Sequence, residues 1–236
     1  ISGAAGDITM TGDGNNLTVN AAGLITLDGD VSGNNIMLVS GTNSHIPGAL
    51  TINGNVQAPG SLTVTGPTET VNGSISGKDA TFNSGTDFRL TSGGVLNLTG
   101  DAVIAASKTL VLDGKTMVGA SVDLNGLANV TVNGQLSAQD VNVQGSDVTF
   151  NNAVTAKHFT VNNQGDFLLT SNGALTASDV VTINSRDGVT LNAAASGKSF
   201  TFSAGRDLTL NGAIQSVAGV TTNVRNAFVS QSINAD

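Results

Sequence analysis

The sequence predicts an all-β protein: a right-handed parallel β-helix (β-solenoid) of about 11 coils averaging about 20 residues. Three observations predict it. An apolar–Thr–apolar phrase closed by Asn recurs, as at Val148–Asn151, Val189–Asn192 and Leu208–Asn211. The apolar runs are short, alternate with period two, and are bounded by Asn, Gly, Asp or Ser, which is the pattern of strands and turns. Residues that usually cover helices are scarce: charged residues make up 11% of the chain, and Glu69 is its one glutamate.

The phrase starts near Ile8, Leu24, Leu50, Thr70, Phe88, Thr109, Val130, Val148, Phe167, Val189 and Leu208. Such a spacing suits one wrap around an axis per unit, with equivalent phrases stacked and paired in parallel. A meander of hairpins would show longer strands joined by tight Asn-Gly turns. Right-handed winding follows from the handedness of parallel crossovers. One coil offers five or six inward apolar side chains, worth about 10 kcal/mol. Ordering its backbone costs on the order of 20–40 kcal/mol. A coil therefore folds only against its neighbours. In Val148–Asp166 this places Val148, Phe150, Phe159 and Val161 inside, and Thr149 and Thr160 outside.

Asn133, Asn151, Asn162, Asn184, Asn192 and Asn211 each follow such a triplet. Two properties suit Asn to a corner: it tolerates left-handed backbone angles, and stacked side-chain amides bond along a ladder. A second column is expected from Asp166, Asp187 and Asp207, with Arg186 and Arg206 just ahead of two of them. An Asp that closes a corner, with Arg offsetting the stacked negative charge, accounts for it.

Three segments depart from the repeat. Ser40–Ala49 lengthens its unit and reads as a protruding loop, with Asn43, His45 and Pro47 as candidate binding residues. Gly66–Glu69 reads as a second excursion at a corner and adds Pro67 and Glu69 to that set. Asp101–Lys108 suits continuation of the coil better than a turn of helix. No linker interrupts the pattern, so residues 1–236 read as a single β-helical repeat domain, expected to be a fragment of a much longer chain.

The phrase Ser203-Ala204-Gly205-Arg206-Asp207-Leu208-Thr209-Leu210 has looser copies at Asn184–Leu191, Gly165–Thr170 and Gly6–Met10. It resembles the filamentous-haemagglutinin repeat of large bacterial two-partner-secreted exoproteins, a group of adhesins and of stalks of contact-dependent growth inhibition toxins. The resemblance covers the chain as repeat texture and the last third most sharply. It implies a right-handed β-helix, export through an outer-membrane secretion pore, and a fibre at the surface of a Gram-negative cell. On that reading the segment is shaft, and end-to-end continuation with further β-helix is expected.

Composition narrows the chemistry. A formal charge of −8 disfavours a nucleic-acid groove. No apolar run is long enough for a membrane-spanning helix. With no Cys and two His, the chain lacks thiolate catalysis and offers little for a metal, cofactor or Ser–His–Asp arrangement. Stacked aspartates leave a polysaccharide-active enzyme as a rival, but sugar clefts usually carry aromatic platforms, and the chain has no Trp or Tyr. The expectation is a non-enzymatic shaft or adhesive segment of a secreted surface protein, with no catalytic, cofactor or metal residues. The alternative is a non-catalytic module that binds a host or bacterial receptor or glycan.

Overall fold

A computed structural model describes residues 8–9, 15–41 and 48–235, the side chains of Ile8 and Thr9 excepted. Among the described residues every regular element is a strand. The strands are parallel and form a β-solenoid of about 11 turns, with equivalent residues about 19–20 apart. The chain divides into two compact units, Ile1–Ala120 and Ser121–Asp236.

In the first unit each coil contributes to three ladders. One stacks Asn16–Asn20, Asn35–Val39, the second half of Val56–Gly66, the second half of Ser74–Ser84, and Ala102–Ala106. The next stacks Ile25–Leu27, Leu50–Ile52, Glu69–Val71, Phe88–Leu90 and Leu110–Leu112. The third runs from Ile8–Thr9 through Val31–Ser32, the first halves of Val56–Gly66 and Ser74–Ser84, and Val95–Leu98 to Lys115–Val118. Ala102–Ala106 is a strand, so Asp101–Lys108 continues the coil.

The second unit repeats the plan. Val130, Val148, Phe167, Val189 and Leu208 are cross-strand neighbours in one ladder, which matches the phrase starts read from sequence. In the first unit the register differs from that reading. The residues beside Leu50 and Phe88 are Ile25, Glu69 and Leu110, each one position from the expected Leu24, Thr70 and Thr109. Ile8 lies opposite Val31, on another ladder. Several strands are also longer than the apolar runs suggest. Val56–Gly66, Ser74–Ser84, Ser121–Val132 and Asp140–Phe150 bend through a corner without leaving the ladder, with register shifts at Ala58/Ser61 and Gly126/Asn129. A bulge bends a strand while keeping its pairing on both sides.

The interior is built from stacked apolar columns. Val19, Leu38, Val64, Phe82 and Ile104 form one in the first unit. Phe150, Leu169, Leu191 and Leu210 form one in the second. Val148, Phe150, Phe159 and Val161 are all buried, as alternation requires. The phenylalanines supply the bulk that other aromatics usually give. Phe150 sits 5.4 Å from Phe159 and 6.1 Å from Phe167 between ring centroids, and Phe82 sits 5.0 Å from Phe88. Each buried side chain of this size contributes about 1.5–3 kcal/mol.

Candidate functional site

The corner asparagines act through stacking. Among the described residues no non-glycine residue has positive φ, so the left-handed angles expected for Asn are not used. Side-chain amides instead bond to the coil below. Asn151 Nδ2 donates to Asn133 Oδ1 at 2.6 Å, Asn184 to Asn162 at 2.9 Å, and Asn211 to Asn192 at 2.9 Å. These pairs do not form one column. Asn133, Asn151, Asn192 and Asn211 end the strands of one ladder, with Thr170 replacing Asn midway. Asn162 and Asn184 lie within strands of another ladder. The first unit repeats the device: Asn53 donates to Asp28 at 2.7 Å, and Asn72 to Asn53 at 2.6 Å. The glycines that follow these residues are required by close approach. A Cβ on Gly73 would collide with the Gly54 carbonyl oxygen, and one on Gly54 with that of Gly29.

The Asp/Arg set also separates. Asp166 and Asp207 belong to one column with Gly188 between them, whereas Asp187 lies one residue earlier, level with Arg206. Asp166 Oδ1 accepts the Gly188 N–H at 2.8 Å, and Asp147 Oδ1 accepts the Asp166 N–H at 2.8 Å. A carboxylate thus takes a backbone donor from the next coil where the chain turns and a strand–strand bond is interrupted. Asp30 treats Asn55 N–H in the same way at 2.7 Å, and that bond lowers the Asp30 pKa. Arg206 Nε lies 3.3 Å from Asp187 Oδ1, Arg186 is exposed, and Asp207 accepts from Asn226 at 2.8 Å.

His158 joins three coils. Its Nδ1 lies 2.5 Å from Asp140 and its Nε2 3.4 Å from Asp179, which also faces Lys198 at 3.7 Å. Both ring nitrogens face carboxylates, so the ring bridges the coils on either side of its own. His158 is half-buried in this polar ladder.

The proposed binding loops fare differently. Asn43, His45 and Pro47 lie outside the described residues. Gly41 and Gly48, which bracket them, press backbone to backbone, and a Cβ on Gly41 would stand 2.7 Å from Pro67 Cγ. Gly66–Glu69 is not an excursion. Gly66 ends one strand, Glu69 begins the next, and Pro67-Thr68 alone turn the corner. Thr68 Oγ1 meets Thr86 Oγ1 at 2.8 Å in the stacked corner of the next coil.

Glu69 points inward and is 0% exposed, so its carboxyl offers nothing to a surface partner. It occupies the column of Leu50, Phe88 and Leu110. Burial raises its pKa to about 8. The Ser84 hydroxyl and the backbone of Gly66 and Asn83 pull the other way, but neither carboxyl oxygen closes a hydrogen bond of normal geometry. The sequence held one signal for it: a lone glutamate that breaks the apolar register by one residue.

In the second unit a shallow groove of about 640 Å³ is lined by residues that include Ser196, Lys198, Gln215, Val217 and Asn234. Ser196, Gln215 and Asn234 are cross-strand neighbours, so the groove runs along a polar stripe. Among the described residues no group of three or more His, Cys, Asp or Glu is placed to hold a metal ion, and no helix is long and apolar enough to cross a membrane. Comparison of the chain with protein-family models, curated proteins and solved structures gives no match.

Proposed function

We propose that the chain is a non-enzymatic structural shaft or adhesive segment of a secreted, filamentous protein at the surface of a Gram-negative bacterium. The observation that carries this reading is the stacked interior of each unit. Every coil supplies the wall its neighbour lacks, so length is added by adding coils. The outward faces carry Asn, Asp, Ser and Thr ladders that satisfy one another along the stack. A scaffold of this kind holds a tip away from the cell and leaves its sides free for contact. The filamentous-haemagglutinin texture of Ser203–Leu210 supports the same reading.

Export fits the chemistry. A chain without Cys forms no disulfide during passage through an outer-membrane pore. Parallel coils pair residues only about 20 apart, so each coil closes as it follows the last. The partners on this reading are the secretion pore, further β-helix end to end, and a receptor or glycan on a host or neighbouring cell. A net charge of −8 disfavours nucleic acid.

Fractionation of the producing cells, followed by protease treatment of intact cells, tests the reading. The protein is expected in the medium or on the surface, where external protease removes it. A protein recovered only from the cytoplasm, shielded from protease, overturns the proposal.

The groove along Ser196, Gln215 and Asn234 favours a second reading, a glycan-binding module. Binding to a glycan array that disappears in Lys198→Ala/Gln215→Ala would support it, and an array without signal would remove it.

A further inference from the structure

The first unit buries one carboxyl group, that of Glu69, in its interior. Gly66 presents no side chain inward, and the Glu69 side chain packs beside it across the Pro67-Thr68 corner. A Cβ on Gly66 would stand 3.7 Å from Glu69 Cγ and 2.5 Å from Ser40 Oγ. Ser40 lies in the coil below Gly66, and Ser84 in the coil above. Both serines are buried, and like Glu69 they hold side-chain oxygens without a well-formed hydrogen bond.

The second unit shows what such a corner asks of an inward polar group. There Asn163 Nδ2 donates to the Gly165 carbonyl at 2.8 Å, and Ser185 Oγ donates to that of Gly188 at 3.0 Å. Each is a proton donor turned onto the carbonyls of its corner. A carboxylic acid has one proton to give in the same way, and a carboxylate has none.

Among the described residues no cation offsets a charge at this place. The inward groups of the strands packed against Glu69 are Ser40, Leu50, Gly66, Ser84 and Phe88, none of them ionisable. Among the described residues, the ionisable groups on those strands and beside them face elsewhere. Lys78 and Asp79 pair at the surface at 3.4 Å. Asp87 accepts the Thr109 N–H at 3.1 Å, and the Arg89 guanidinium pairs with Asp113 at 2.5 Å.

We propose that Glu69 is kept as the neutral acid and locks a corner spanning three successive coils, making the first unit a pH-sensitive element that tightens on acidification and loosens in alkali. Ionisation would place an unpaired charge among Leu50, Phe88 and two hydroxyls, and this corner would open first.

Glu69 is the one glutamate in the chain, so protein labelled with carbon-13 glutamate gives a single side-chain carboxyl resonance. Followed against pH in the folded protein, that resonance is expected to titrate with a midpoint near 8. A midpoint near 4.5, the ordinary value, overturns the proposal. A second measurement compares denaturant midpoints of wild type and Glu69→Gln at about pH 5 and about pH 9. The wild-type midpoint is expected to fall with rising pH and that of Glu69→Gln to change less. Equal pH dependence in the two proteins also overturns the proposal. Should Glu69→Gln not fold, the wild-type resonance decides alone.

Discussion

Glu69 packs beside Gly66: the glycine carries no inward side chain, and the Cγ of the glutamate three residues later lies 3.7 Å from where a Gly66 Cβ would be. The pair fixes a corner of the first unit and sets its dependence on pH. An unfolded glutamate loses its proton near 4.5, whereas the folded one keeps it to about 8. Between those values the unfolded state binds fewer protons, so stability falls as pH rises, and it levels off outside the window. The total change is on the order of 3–5 kcal/mol. Equilibrium unfolding from about pH 4 to about pH 9 measures it, and a stability that rises across the window would contradict the assignment.

The aromatic cluster of the second unit carries much of its packing. Phe150 is fully buried against Phe159 and Phe167. Phe150→Ala is expected to cost about 3–5 kcal/mol in denaturant unfolding. Thr149→Ala, one residue away and facing outward, is expected to stay within about 0.5 kcal/mol.

Glycine at the Asn-Gly corners answers to sterics. Gly73→Ala drives a methyl into the Gly54 carbonyl, and Gly212→Ala does the same at Ala193. Backbone must move in both, so each is expected to lose about 2 kcal/mol or more. Gly219, where nothing lies within 4 Å of an added Cβ, has a positive φ of 107°, so Gly219→Ala is expected to cost about 1 kcal/mol through backbone strain alone.

The amide ladders contribute less. Asn184→Ala removes one 2.9 Å bond at a partly exposed site and is expected to cost about 1 kcal/mol. A double-mutant cycle with Asn162→Ala measures the coupling between the two. A coupling indistinguishable from zero would mean that the ladder is geometric and not energetic.

Much of the architecture was legible because one rule generated it. Val148, Thr149 and Phe150 announce an inward–outward–inward strand, and the same spelling at Val189–Leu191 and Leu208–Leu210 places these strands in one ladder. The rule failed where an inward position is polar. Glu69 looks like a surface residue, so the sequence places the phrase start at Thr70, one residue after the true register position. Reading along one dimension also merged ladders. Asn162 and Asn192 each follow an apolar–Thr–apolar triplet, yet they lie on different sides of the coil, because two strands of one wrap obey the same local grammar. The Asp187 misplacement has a related cause: Gly188 occupies the corner position, and Asp187 only neighbours it.

The central claim is that equivalent residues about 20 apart stand side by side in parallel. The chain has no Cys, so introduced pairs report on it without interference. Neighbouring rungs of a parallel ladder are about 4.8 Å apart, within reach of a disulfide, and alternate rungs are about twice as far. Asn162 and Asn184 are neighbours, and Ser203 is one rung further. Under mild oxidation Asn162→Cys/Asn184→Cys is expected to crosslink in the folded protein, and Asn162→Cys/Ser203→Cys is not. Equal crosslinking of the two pairs, or crosslinking of the second alone, would contradict the parallel in-register stack.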